Sequence, residues 1–470
     1  MTLIGWLIVP IAIFVFLWRP FYLLPLMVFS SLFELCTVFN GAIGQFVFGI
    51  SVFSFVQILI AIRLFVDTGS QWKKLLPRSS SARSISIPLI GFLGWSILSA
   101  FLIPRLFAGT MVVAPRGSTQ GFPVLEPLQW SWSNLAQAGY LLLNILVLLY
   151  SFRVVTTPRK SRKLASTFQS AVLVVIVAVS IQCISPSFYP YEFLNTNPAE
   201  YQGSDQEIYG YHRVTGTFGE PSSGGSFLAA AGIGFLASYL AGRRGILQII
   251  GLIFVVVALL YTTSSTGYAT FAIGACCLLF YFRRSTSGAK HAWIPIAAAA
   301  LSLPLIVLVT LRLKPELFQA FLSVTSGKTE TNSFLGRLIS DAYGLDIFKE
   351  TWGIGVGLGS SRSSSLISTL LSCLGIVGAY FLVKTFNRMR KLFPGQSASP
   401  SLQLTCWALM GILLAGAIGF PDINRPPLWA LVIIVASQLA VHANVVSAAS
   451  GKQFKNGLSL EESARIAPAS

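Results

Sequence analysis

Long runs of hydrophobic positions, separated by short polar loops, are the dominant pattern along this chain. A transmembrane helix needs roughly 17 to 25 mainly apolar residues, and runs of about this length recur throughout the sequence. The predicted spans cover residues 3–18, 20–38, 46–66, 85–106, 134–153, 164–184, 225–242, 246–263, 266–282, 292–311, 365–386, 402–420 and 428–447. The first run is short and leads into Arg19 and Pro20, so it is either a span or a re-entrant or surface segment, which gives about 12 or 13 spans.

The composition excludes an ordinary water-soluble protein. Hydrophobic residues make up 54% of the chain and charged residues only 10%, and the mean hydropathy is +0.71. A chain this apolar cannot bury all of its hydrophobic surface in a soluble core. We therefore predict an all-α polytopic membrane protein, because the apolar runs lack the alternation that the strands of a membrane barrel require.

The distribution of charge predicts the orientation of the chain. Lys and Arg cluster in every second loop, and basic loops are retained on the cytoplasmic side. The tail is predicted to be cytoplasmic as well, whereas the alternate loops, which hold most of the Asp and Glu residues, face outward. The net charge of +17 reflects this asymmetry. It does not indicate nucleic-acid binding, since the basic residues are spread over several short loops.

Two outward loops are long enough to hold structure of their own, and they divide the predicted chain. The divisions are N-terminal spans at 1–184, a first long loop at 185–224, central spans at 225–311, a second long loop at 312–364, C-terminal spans at 365–447 and a tail at 448–470. Candidate chemistry is concentrated in the two loops.

The first long loop leads into YHRVTGTFGEPSSGGSFLAA, residues 211–230. Arg213 offers a planar fork of donors that suits a phosphate or diphosphate, and Glu220 precedes a predicted helix, where it can accept a proton from a sugar hydroxyl. The alternative is that Glu220 only complements the helix dipole and pairs with Arg213. Tyr211 belongs to an aromatic group that suits either stacking on sugar rings or packing at the membrane interface.

The second long loop contains a segment with helical spacing at 334–350, followed by a glycine-rich turn at 353–359. Arg337 and Arg362 lie on either side of this turn, and Asp341 is one of the charged positions of the segment. The two arginines either meet an anionic headgroup or extend along the membrane surface as ordinary interfacial cations. The turn is not a dinucleotide fingerprint, because no strand precedes it and no acidic partner follows.

Three motifs together resemble the O-antigen polymerase and ligase superfamily: RVTGTFGEPSSGGSFLA, then TTSSTGY, then GRLISDAYGLDIFKETWGIGVGLGSSRSS. The resemblance implies a GT-C-like, inverting, metal-independent glycosyltransferase of the bacterial inner membrane that needs no cofactor. Its donor and acceptor would be undecaprenyl diphosphate-linked glycans at the periplasmic face. Arg213 matches the family arginine that binds the donor diphosphate, and Arg337 matches the arginine upstream of the Gly-x-Gly turn. A flippase and a chain-length regulator are the protein partners that the resemblance implies.

Departures from the family pattern favour a polymerase over a ligase. Related ligases carry a histidine near the end of the long loop, and none lies between 312 and 364 here. The short turn reads Ser264-Ser265 where Ser-Arg is usual, so Arg362 is expected to replace the missing cation. The Glu-Pro-Ser sequence at 220–222 looks more like polymerases of exopolysaccharide or capsule repeat units. A transporter is the alternative from another class, although the spans carry few ionisable residues.

The expected reaction is attack by a hydroxyl of one lipid-linked repeat unit on C1 of the sugar held by another, with undecaprenyl diphosphate as the leaving group. Glu220 is the candidate for activating or orienting the hydroxyl, with Asp341 in reserve. Arg213 and Arg337 would neutralise the leaving group. Glu34, inside the predicted second span, either lines the same cavity or extends outward to the interface.

Overall fold

The computed structural model describes residues 1–43, 46–69, 71, 75–115, 125–198, 206–208, 210–242, 245–283, 308, 312, 315–325 and 332–465. The chain is mostly helical within these ranges. The helices are α1 Leu3–Trp18, α2 Leu23–Ser30, α3 Val52–Thr68, α4 Ser80–Leu106, α5 Trp132–Val154, α6 Pro158–Ile184, α7 Tyr191–Leu194, α8 Pro221–Leu240, α9 Ile246–Tyr261, α10 Ser265–Arg283, α11 Pro315–Thr325, α12 Asn332–Glu350, α13 Leu366–Leu392, α14 Pro400–Gly419 and α15 Pro426–Arg465. The described residues also form three short antiparallel pairs: β1 Thr37–Ile43 with β2 Phe46–Ser51, β3 Val112–Val113 with β4 Glu126–Pro127, and β5 Glu207–Ile208 with β6 Tyr211–His212.

Eight helices among the described residues are long and apolar enough to cross a membrane. They are α4, α5, α6, α8, α10, α13, α14 and the first 24 residues of α15. These helices confirm a multi-pass, largely α-helical membrane protein. Shorter apolar stretches of helix lie at Leu3–Trp18, which is α1, at Pro20–Ser30, which includes α2, and at Gln248–Tyr261, which is most of α9. The predicted span at 292–311 falls outside the described residues, Leu308 excepted.

The predicted spans at 20–38 and 46–66 are wrong over part of their length. Helix α2 ends at Ser30, and the following residues form a turn and then the β1–β2 hairpin, so that α3 begins only at Val52. A short apolar run fits a strand as well as a helix, and the β-branched and aromatic residues of TVFNGAI and FVFGIS favour strands. The hairpin matters for the site because it places Glu34 in a turn instead of inside a helix.

Helix α8 lies at the centre of the bundle, with 17 of its 20 residues buried. Its small residues allow neighbouring backbones to approach closely, which is the usual way in which membrane helices pack. A Cβ added at Gly225 would lie 2.5 Å from Ser264 Cβ, and one added at Gly234 would lie 2.6 Å from the Leu404 carbonyl oxygen. Glycine is therefore required where α8 meets the start of α10 and the first part of α14.

The glycine-rich turn after α12 packs against a kink in α13. Val356 N–H donates to the Ser372 carbonyl at 2.8 Å, and Gly357 N–H donates to the Cys373 carbonyl at 2.9 Å. The kink lies at Gly375, which has a φ of 61° and a ψ of −160°. Arg337 and Asp341 lie on α12, which contains the predicted helical segment 334–350, so this packing fixes the helix that carries them.

Candidate functional site

Three arginines and two carboxylates converge at one end of the helix bundle; we call Arg213, Arg337, Arg425, Glu34 and Glu220 the arginine site. The start of α8 touches the start of α10 through Gly225 and Ser264. The end of α14 reaches the start of α10 through Gly419 and Thr266. The residue before α15, Arg425, donates to the Ser223 carbonyl of α8 at 3.0 Å. Three helix starts and one helix end therefore surround this site.

Arg213 is held in one orientation by three hydrogen bonds. Its Nε donates to Thr263 Oγ1 and its Nη2 donates to the Thr263 carbonyl, both at 3.0 Å, while Nη1 donates to Gln206 Oε1 at 2.7 Å. Thr263 has a φ of 45°, an uncommon conformation for a residue with a branched side chain. The short turn between α9 and α10 is thus shaped around the guanidinium of Arg213.

Arg337 reaches the same turn from α12. Its Nη1 donates to Thr266 Oγ1 at 3.2 Å, in the first turn of α10, and lies against Gly419, where an added Cβ would be 2.8 Å from that nitrogen. Burial lowers the pKa of Arg213, the charge of Glu220 opposes that shift, and the charge of Arg337 adds to it. Arg213 and Arg337 thus bind Thr263 and Thr266, three positions apart, and place two like charges beside a helix start whose N–H groups favour anions.

Glu220 immediately precedes α8, with extended backbone at φ −138° and ψ 147°. Its Oε2 accepts a hydrogen bond from Ser222 Oγ at 3.0 Å, whereas its side chain makes no hydrogen bond to the backbone of the first helical turn. The charge of Glu220 acts both on Arg213 and on Glu34. Glu220 also lies three positions before Ser223, whose carbonyl accepts from Arg425.

Glu34 and Arg425 form a buried ion pair that closes the site on its other side. Arg425 Nε lies 3.3 Å from Glu34 Oε1, and the side chains are only 5% and 14% exposed, respectively. The guanidinium carbon of Arg425 lies 3.8 Å from the centre of the Phe420 ring. Burial raises the pKa of Glu34, and the neighbouring cation of Arg425 opposes that shift. Sequence reasoning missed Arg425; the available signal was an isolated cation just before an apolar run, with Glu34 as a second isolated charge.

The remaining predicted site residues have contacts of their own. Tyr211 is buried against Leu317 and donates its hydroxyl to the Tyr261 carbonyl at 3.0 Å, and burial raises its pKa. This position favours packing over stacking on a sugar. Arg362 Nη2 lies 3.4 Å from Asp422 Oδ2. Tyr211 and Arg362 thus bind the Tyr261 carbonyl and Asp422, respectively. Arg213 and Arg337 instead bind Thr263 and Thr266 around the start of α10.

Asp341 caps the helix that follows the glycine turn. Its Oδ1 accepts from the backbone N–H groups of Ser364 and Ser365, both at 2.8 Å. Ser365 is the N-cap residue of α13. The carboxylate of Asp341 therefore satisfies backbone donors at a helix start, which is a stabilising role.

The arginine site and the basic residues of the first turns of α6 lie at opposite ends of that helix. Near its end, Gln182 Oε1 accepts from the N–H groups of Thr215 and Gly216, both at 3.0 Å, just ahead of Glu220. The basic residues Arg159, Lys160, Arg162 and Lys163 lie in the first turns of the same helix. At 1.5 Å per residue, the helix separates Pro158 from Gln182 by about 36 Å, roughly a bilayer thickness.

Comparison of the chain with protein-family models and with curated proteins returned no match. The described residues hold no group of three or more His, Cys, Asp or Glu side chains arranged to bind a metal ion. What the site offers chemically is positive charge, N–H donors and two carboxylates.

Proposed function

We propose that this protein is a membrane glycosyltransferase that polymerises undecaprenyl diphosphate-linked repeat units at the outer face of the bacterial inner membrane, in exopolysaccharide, capsule or O-antigen synthesis. The observation that carries this proposal is the convergence of Arg213 and Arg337 on the start of α10, next to Glu220. Two repelling cations beside a helix start favour a multiply charged anion such as a diphosphate. The resemblance of the sequence motifs supplies the class of substrate.

The arginines account for the electrostatic part of the reaction. Undecaprenyl diphosphate leaves the sugar with negative charge on its terminal phosphate, and guanidinium groups already in place stabilise that charge without rearrangement. The two hydrogen bonds from Arg213 to Thr263 provide this pre-organisation. The distance of the site from the basic residues at the start of α6 supports an outward-facing location, because Lys and Arg that flank spans are retained on the cytoplasmic side.

Glu220 is the proposed base. A hydroxyl oxygen of the acceptor saccharide forms a bond to C1 of the donor sugar, and the bond from C1 to the diphosphate oxygen breaks. The hydroxyl proton passes to Glu220, whose carboxylate is held by Ser222. Attack from the face opposite the diphosphate inverts the configuration at C1. Asp341 is less suited to this role because its Oδ1 already accepts two backbone hydrogen bonds.

The test uses purified full-length protein and lipid-linked repeat units extracted from a strain of the source organism that lacks this chain. The proposal predicts a ladder of lipid-linked oligomers when the products are separated by size. Transfer that occurs only after lipid A-core or a protein acceptor is added would identify a ligase instead. Solute uptake into proteoliposomes without any saccharide transfer would identify a transporter.

A further inference from the structure

Arg425 is a buried cation, and no step of the proposed reaction uses it. It is 5% exposed, and two of its three side-chain nitrogens have partners: Nε pairs with Glu34, and Nη2 donates to the Ser223 carbonyl. Nη1 is buried and has no hydrogen-bond partner among the described residues. A buried charged donor is costly to leave unpaired, so a partner for Nη1 stabilises the site.

The surroundings of Arg425 fix where this nitrogen lies. The ring of Phe420 covers one face of the guanidinium, and Glu34 holds its Nε edge. Gly419, the residue before Phe420, lies against Nη1 of Arg337. Adjacent residues at the end of α14 thus contact Arg337 and Arg425, and Arg425 also donates to the carbonyl of Ser223, three positions after Glu220.

We propose that Arg425 is a third diphosphate-binding residue, which donates from Nη1 to a phosphate oxygen, and that Glu34 is the positioning residue that orients its guanidinium. This inference rests on the proposed function and extends it to a residue that the sequence motifs do not include. A diphosphate carries charge on both phosphates, so Arg213 and Arg337 can serve one phosphate while Arg425 serves the other. The competing interpretation is a purely structural ion pair that ties the turn before β1 to α15.

The test compares two double variants of the full-length protein in lipid nanodiscs. Glu34→Gln with Arg425→Gln removes both charges of the buried pair, so neither partner is left uncompensated. Arg63→Gln with Asp67→Asn removes the ion pair of α3, whose atoms lie 3.0 Å apart, and serves as the matched control. Binding of undecaprenyl diphosphate and of undecaprenyl phosphate is measured for each protein, together with displacement by sodium pyrophosphate and the thermal unfolding temperature.

The inference predicts that the Glu34/Arg425 variant keeps a near-normal unfolding temperature and binds undecaprenyl diphosphate about tenfold more weakly. Its affinity for undecaprenyl phosphate changes less, so its preference for the diphosphate falls. Because the diphosphate group itself is recognised, pyrophosphate should displace the lipid from the wild type. It should displace the lipid less effectively from the Glu34/Arg425 variant. Unchanged affinity in a folded Glu34/Arg425 variant, or an equal loss for both lipids, overturns the inference alone. Absence of undecaprenyl diphosphate binding in the wild type overturns the proposed function itself.

Discussion

Arg213 donates two hydrogen bonds to Thr263, one to its hydroxyl and one to its carbonyl, each 3.0 Å long. The turn between α9 and α10 and the end of the first long loop are therefore fixed to one another. Because Thr263 also adopts a φ of 45°, the turn keeps an uncommon backbone shape at the place where the arginine binds it. The orientation of Arg213 thus depends on a residue that has no charge of its own.

Thr263→Val tests this dependence, since it removes the hydroxyl that accepts from Arg213 Nε and keeps the shape of the side chain. We expect roughly a tenfold lower rate of oligomer formation, because the guanidinium loses one charge-assisted hydrogen bond that holds it in place. Thr263→Ser retains the hydroxyl and is the control. Equal rates for the valine variant, the serine variant and the wild type would show that Arg213 is oriented by other contacts.

Glu220→Gln tests whether Glu220 acts as the base or only complements the dipole of α8. The amide cannot take up the hydroxyl proton, so we expect the rate at saturating lipid-linked repeat to fall by about 100-fold. Asp341→Asn is the comparison: it weakens the cap of α13 and should lower the thermal unfolding temperature while affecting the rate much less. A wild-type rate for Glu220→Gln, or a larger loss of rate for Asp341→Asn than for Glu220→Gln, would show that Glu220 is not the base.

The predicted orientation can be tested by labelling intact cells. Trp352 is 92% exposed just before the glycine-rich turn, and Arg159 is exposed at the start of α6. In Trp352→Cys, a membrane-impermeant maleimide should react from outside, whereas in Arg159→Cys it should react only after the cells are permeabilised. The wild type measures the background from its own six cysteines. Labelling of Arg159→Cys in intact cells would place the arginine site on the cytoplasmic side.

The close approach of α8 to α10 predicts that two glycine-to-alanine substitutions have different effects on the unfolding temperature. Gly225→Ala would place Cβ 2.5 Å from Ser264 Cβ, so the helices must separate, and the unfolding temperature of the detergent-purified protein should fall by several degrees. Gly139→Ala in α5 meets nothing within 4 Å and should be neutral or slightly stabilising. If the two variants unfold at the same temperature, the helices are not packed as closely as described.

The sequence predicts the membrane class well, because a helix that crosses a bilayer needs a long apolar run and little else. Helices α4, α5 and α6 each lie where an apolar run predicts a span. The β1–β2 hairpin is not predictable in the same way, since a short apolar run carries no period that separates strand from helix. The apolar pattern therefore predicts a span where the structure has the turn that contains Glu34.

The arginine site is only partly visible in the sequence. Arg213 and Glu220 lie seven positions apart in one motif, and Arg337 was placed by a second motif. Arg425 was missed because its partners, Glu34 and Ser223, are 391 and 202 positions away along the chain. Contacts over such separations depend on how α8, α14 and α15 pack, which the pattern of single positions does not specify.

The most direct test of the central claim compares Arg213→Ala with Arg159→Ala in the oligomer-forming assay. Both variants remove one arginine, but only the first removes a cation of the arginine site. Our account predicts that equal amounts of both proteins reach the membrane, that Arg159→Ala forms the same ladder as the wild type, and that Arg213→Ala retains about 1% of the rate or less. A ladder of normal length and rate from Arg213→Ala would contradict the assignment of this site to the lipid-linked diphosphate.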